Sequence, residues 1–154
     1  MEQKTQLTAP EGKQELLVVR EFDLPLELLF QAFTEPSIVE EWMGTKVLTL
    51  ENKKHGSWKF ETTDQKGNKY GFNGVIHEFV PNHKITRTFE MENTPFGIQL
   101  EFYEFESISA DKSKLVVHIL FKSVEHRDEM LKLPFAQGIN MAHNRLQEIA
   151  IKLK

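Results

Sequence analysis

The chain has 154 residues, 40% hydrophobic and 27% charged, with 19 Lys and Arg against 23 Asp and Glu, and no cysteine. That length suits one domain with a sizeable core; the net charge of −4 argues against nucleic acid as the main partner, and the missing thiols exclude disulfides, thiolate zinc sites and iron–sulfur clusters. No apolar run reaches the ~18 residues of a membrane span and residues 1–13 lack a signal-peptide core, so a cytoplasmic setting is expected.

Residues 1–14, polar and broken by Pro10 and Gly12, read as a flexible tail, and residues 15–154 as one domain. Glu15–Phe22 is β-rich and reads as a first strand. Pro25 sits where helices start, with Leu26, Leu29, Phe30 and Phe33 at helical spacing; Pro36 opens a second short helix through Trp42 and Met43, closed by Gly44. Six strands follow over Lys46–Glu51, Ser57–Thr63, Lys69–Val80, Lys84–Glu92, Ile98–Ser107 and Lys114–Phe121, separated by Gly-, Asn-, Asp- and Pro-bearing turns. Short connections predict antiparallel meander pairing, and no helix lies between these strands to build a parallel sheet. Ser123 is a candidate N-cap for Val124–Lys132, and Phe135, Ile139, Ala142, Leu146, Ile149 and Leu153 mark one face of a long last helix. The order predicts an α+β fold: a curved antiparallel sheet wrapped around the C-terminal helix, with two short helices after the first strand.

Nucleotide and nucleophile signatures are missing: there is no G-x-G-x-x-G, no Walker loop and no G-x-S-x-G. The six histidines show no i, i+4 pair on a helix and no H-E-x-x-H, so no metal and no cofactor are expected.

Particular residues carry a resemblance. They are Phe30-Gln-Ala-Phe33 with Thr34-Glu-Pro36, Glu41-Trp42, Gly56-Ser-Trp-Lys-Phe60, Gly67 and Gly74-Val-Ile-His-Glu-Phe-Val-Pro81. Near the C-terminus come Arg127-Asp128, Met130-Leu131, Gly138 and Arg145-Leu146-Gln-Glu148. In this order, over roughly Leu16 to Leu153, the chain resembles the helix-grip superfamily of START domains, polyketide cyclases and the birch-pollen allergen. Within it, the sequence is most similar to the domains named for activators of the ninety-kilodalton heat-shock chaperone ATPase. Two positions depart from that pattern: His55-Gly56 stands for paired glycines, and Ile139 for an aromatic after the last-helix glycine. The resemblance implies a hydrophobic cavity between sheet and last helix, commonly holding an apolar small molecule.

On that basis the strand-face aromatics gain a second reading besides ordinary core. Trp58 and Phe60 share one face, Ile85, Phe89 and Met91 another, and Leu115, Val117, Ile119 and Phe121 a third. The expected cavity lining is Trp58, Phe60, Phe89, Ile119, Phe135 and Met141, with Trp42 near the cavity mouth. Arg87 interrupts an apolar face and needs either solvent or an acid. If the hairpin pairs Met91 with Leu100 and Phe89 with Phe102, Arg87 lies opposite Glu104 as an outer-face ion pair; the alternative places it at the cavity, orienting a ligand carboxylate or carbonyl. His143, between Ile139 and Leu146, is expected at the edge of the buried face, as a packed histidine or a polar group of the pocket.

Three functions follow. The preferred one is a non-catalytic binding domain, monomer or homodimer, for a hydrophobic or amphipathic small molecule. The second is a cyclase- or hydrolase-type enzyme using Arg87 or His143. The third is a co-chaperone-like domain acting on a chaperone ATPase as protein partner.

Overall fold

The computed structural model describes residues 4–154. Along the chain run β1 (Gln6–Thr8), β2 (Glu15–Phe22), α1 (Leu26–Thr34), α2 (Pro36–Met43), β3 (Lys46–Leu50), β4 (Ser57–Thr63), β5 (Lys69–Val80) and β6 (Lys84–Met91). Then come β7 (Ile98–Ser109), β8 (Lys112–Leu120), α3 (Val124–Leu131) and α4 (Phe135–Ile151). The strands form one curved, open antiparallel sheet in the order β1-β2-β8-β7-β6-β5-β4-β3. The β3-to-β8 stretch is therefore the expected meander, and β2 closes its far side. This is the helix-grip arrangement, with the sheet wrapped on the last helix.

Alternation decides which side of each strand is buried. Leu16, Val18, Arg20 and Phe22 of β2 point inward, as do Leu115, Val117 and Ile119 of β8, which lie against them in register. The helices fill the concave side. Pro36 opens α2 at its first helical position, and Gly44 ends it at φ 64°, the left-handed conformation that glycine adopts at least cost. Ser123 caps α3, its hydroxyl accepting from the His126 amide at 3.2 Å. On α4, Leu146 is 0% exposed against a core that includes Phe22, Leu29, Trp42 and Leu115. No helix of the described residues is long and apolar enough to cross a membrane.

Two expectations change. Residues 6–8, read as flexible tail, form edge strand β1, with Gln6, Leu7 and Thr8 opposite Val19, Val18 and Leu17. β2 would otherwise leave its backbone groups unpaired on that side, and a three-residue strand is too short for alternation to announce it. Residues 1–3 of the expected tail lie outside the described residues. The second change is the β6–β7 register. Arg87 pairs with Glu101, Phe89 with Gln99 and Lys84 with Glu104, so Arg87 does not face Glu104. An odd shift relative to the expected pairing exchanges the faces of β7. Glu104 is exposed on the outside, while His118, also outward, sits 3.3 Å from Glu15.

Candidate functional site

Between the concave sheet and α4 lies a cavity of about 410 Å³. β6, β7 and β8 supply one wall, through residues such as Phe89, Tyr103 and Ile119. Phe33 and Trp42 come from α1 and α2, and Phe135, Ile139, Ala142 and His143 from α4. A smaller chamber of about 250 Å³ adjoins it under β4, lined by Trp58, Phe60, Thr62 and Phe72 among others. Met43, Arg87 and Phe89 line both, so they form the partition between the two.

Arg87 is the charged centre of the partition. Its Nε donates to Glu101 Oε1 at 2.9 Å and its Nη2 to the Tyr103 hydroxyl at 2.9 Å. Tyr103 in turn donates to Glu101 Oε1 at 3.3 Å, and Gln99 Nε2 donates to Glu101 Oε2 at 2.9 Å. The guanidinium lies over two rings, 4.3 Å from the Trp58 centroid and 4.8 Å from that of Tyr103. Burial works against the Arg87 charge, yet Tyr103 and Glu101 together hold the group above its already high ordinary pKa. Burial also raises the Tyr103 hydroxyl above its usual value, so it remains a donor. The side chains of Arg87 and Glu101 are only 14% and 5% exposed. Nη1 of Arg87 has no partner among the described residues, and its N–H groups are free to meet a ligand.

A second polar cluster backs α4. His143, 3% exposed, has Nδ1 2.7 Å from Thr5 Oγ1. Arg20 Nη1 donates to that same oxygen and to Asn140 Oδ1, each at 3.3 Å, and the Thr5 amide donates to Asn140 Oδ1 at 2.9 Å. Thr5 Oγ1 thus joins the Arg20 guanidinium to the His143 ring. Burial first and the Arg20 charge second lower the His143 pKa to about 3, so the ring is neutral at physiological pH. Phe22 meets this ring edge-on at 5.6 Å.

The structure gathers most of the expected residues. Trp42, Arg87, Phe89, Ile119, Phe135 and His143 line the main chamber; Trp58 and Phe60 line only the adjoining one. Trp42 is 5% exposed and part of the wall, and its indole donates to Ala32 O at 2.6 Å. Met141 is 57% exposed and lines neither chamber. It lies two residues from Ile139, about 200° around the helix, on the solvent side. His143 is fully inside rather than at the edge of the buried face.

Sequence reasoning missed Glu101, Gln99 and Tyr103. The available signal was the period-two run Gln99-Glu101-Tyr103-Phe105 on β7. It competes with Ile98-Leu100-Phe102 on the other face, the more apolar set, which the fold turns outward. Among the described residues no group of three or more His, Asp or Glu is placed to hold a metal ion. What the cavity offers chemically is an apolar enclosure with fixed hydrogen-bond donors.

Comparison with known proteins agrees with this architecture. Residues 23–150 match the family model described as Activator of Hsp90 ATPase homolog 1-like protein. A crystal structure of a Rhodobacter sphaeroides protein superposes with a TM-score of 0.87 at 19% identity, covering 97% of this chain and 99% of that one. Protein Ms6760 from Mycobacterium smegmatis gives 0.84 at 18% identity, covering 94% and 95%. Protein CV1439 from Chromobacterium violaceum gives 0.75 at 21%, covering 89% and 97%. These likenesses show the START/polyketide-cyclase-like fold. No curated protein matches the chain.

Proposed function

The chain belongs to the activator of Hsp90 ATPase homolog 1-like family, and from that premise we propose that it binds a hydrophobic or amphipathic small molecule inside its cavity. The observation that carries this reading is the cavity itself: about 410 Å³, walled mostly by aromatic and aliphatic side chains, with Arg87 among the few polar groups that line it. Sites of ~300–1,000 Å³ with a few convergent polar groups are the usual form of small-molecule pockets. A ligand burying ~200 Å² of apolar surface gains about 5 kcal/mol, before the cost of ordering it.

The polar groups favour binding over catalysis. His143, with a pKa of about 3, is a weak base at neutral pH, and the Tyr103 hydroxyl is held protonated. General acid–base catalysis works best with groups that titrate near the working pH. Arg87, Tyr103 and His143 therefore orient a molecule rather than exchange protons with it.

Native mass spectrometry of the purified protein, followed by a thermal-shift screen with lipids, sterols and aromatic polyketides, tests the reading. A co-purified apolar molecule, or stabilisation without turnover, is expected. Turnover of a stabilising compound would favour the enzyme instead. A silent screen together with stimulation of a chaperone ATPase would replace the binding reading with the co-chaperone one.

A further inference from the structure

The charge balance of the partition speaks to the class of ligand. Among the described residues, Arg87 and Glu101 are the only Lys, Arg, Asp or Glu side chains that line the main chamber, and they face one another at 2.9 Å. The guanidinium is therefore already neutralised before any ligand enters. Both oxygens of Glu101 are occupied, one by Arg87 and Tyr103 and the other by Gln99. Arg87 keeps its Nη1 N–H groups, a donor without a net charge around it. His143 on the opposite wall is neutral. Arg20 stands behind that histidine, on the Thr5 and Asn140 side, and does not line the chamber.

We propose that the cavity selects neutral ligands bearing a hydrogen-bond acceptor such as a ketone, ester or amide carbonyl, seated on Arg87 Nη1, and rejects carboxylates of the same shape. A carbonyl oxygen takes up the free N–H groups without disturbing Glu101. A carboxylate in the same place would be a second anion beside Glu101, sharing one cation in a mostly apolar site, and an anion without its own counter-charge is disfavoured there. An acid would have to displace Glu101 from Arg87, leaving that carboxylate buried on Tyr103 and Gln99 alone. This deepens the binding reading and rests on it.

The test is a matched probe pair, 2-acetylnaphthalene and 2-naphthoate, which share a ring system and differ in the charge of the acceptor group. Calorimetry at pH 7.5 measures both affinities, and 1H–15N spectra follow the Arg87 Nε–H resonance. The ketone should bind at least tenfold more tightly and move that resonance. Naphthoate binding as tightly as the ketone, or ketone binding that leaves the Arg87 signal in place, would overturn the selectivity while leaving the cavity a binding site. Failure of both probes to bind would remove the cavity reading and this inference with it. Glu101→Gln provides a second check, because the introduced amide can keep its oxygen toward Arg87 and Tyr103 while the Gln99 amide turns over to receive the new N–H. Removing the charge in this way should raise naphthoate affinity until the two probes lie within about threefold. An unchanged preference in a folded Glu101→Gln protein would refute the electrostatic account.

Discussion

Arg87→Met removes the cation from a pair in which the remaining carboxylate has little access to solvent. Glu101 keeps two donors, Gln99 Nε2 at 2.9 Å and the Tyr103 hydroxyl at 3.3 Å, but its side chain is only 5% exposed. Orphaning one member of a buried ion pair costs about 3–5 kcal/mol, whereas replacing both members with apolar groups is often neutral. The two surviving hydrogen bonds and the adjoining cavity, which can admit water, place this case at the lower end, about 3 kcal/mol. Trp58 and Tyr103 also lose the cation between their rings, although a methionine stem keeps most of the contact area. Arg87→Met/Glu101→Leu should return to within about 1 kcal/mol of the parent, because neither charge remains. Urea denaturation followed by circular dichroism measures all four corners of the cycle, and a loss of about 3 kcal/mol moves the midpoint by more than ~1 M for ordinary slopes. A single variant costing under about 1 kcal/mol, or a double variant no more stable than Arg87→Met, would refute the claim that these charges depend on one another.

Leu146→Ala should cost about 2–5 kcal/mol, since the residue is 0% exposed beneath α4; a loss under about 1 kcal/mol in the same denaturation assay would contradict its place in the core. His143 gives a pH prediction. Its folded-state pKa of about 3 lies below the ordinary 6.5, so the unfolded chain takes up a proton first as pH falls. Its contribution is complete above pH 6.5 and drains away toward pH 3, at up to about 1.4 kcal/mol per pH unit. Denaturation midpoints between pH 7 and 4.5 should fall more steeply for the parent than for His143→Phe, which keeps a ring against Phe22; parallel slopes would contradict a neutral, buried imidazole.

The parts of the fold set by local periodicity are readable in the chain. Glu15–Phe22, Ser57–Thr63 and Lys69–Val80 are strands with the expected bounds, and the stripe from Phe135 to Ile149 marks the packed face of α4, whereas Leu153, expected on that stripe, lies past the helix end and is 54% exposed. The helical period even argues against Met141, which stands on the opposite side of α4. What the sequence conceals are relations between segments. The β6–β7 register depends on how residues 92–97 turn, with Gly97 at φ 76°, and hydrophobicity misleads there because the apolar stripe of Ile98, Leu100 and Phe102 faces out. The inward stripe is polar at Gln99 and Glu101 because Arg87 supplies their counterpart from the next strand. Similarly, Thr5 becomes a partner of His143 only once β1 has added itself to the sheet.

Trp58 and Gly74 stand opposite one another across β4 and β5, and the indole lies over that glycine to donate to Thr88 O on β6 at 3.1 Å. A Cβ at residue 74 would collide with Thr88 O and lie 2.6 Å from Trp58 Nε1. The ring that Arg87 rests on therefore keeps its seat only while position 74 has no side chain. Gly74 lines neither chamber, yet it acts as a volume control for both. Any larger residue would tip the indole off the sheet, strip one face from the guanidinium and blur the division between the compartments. For redesign of the cavity, the most sensitive position is thus one that a ligand never touches.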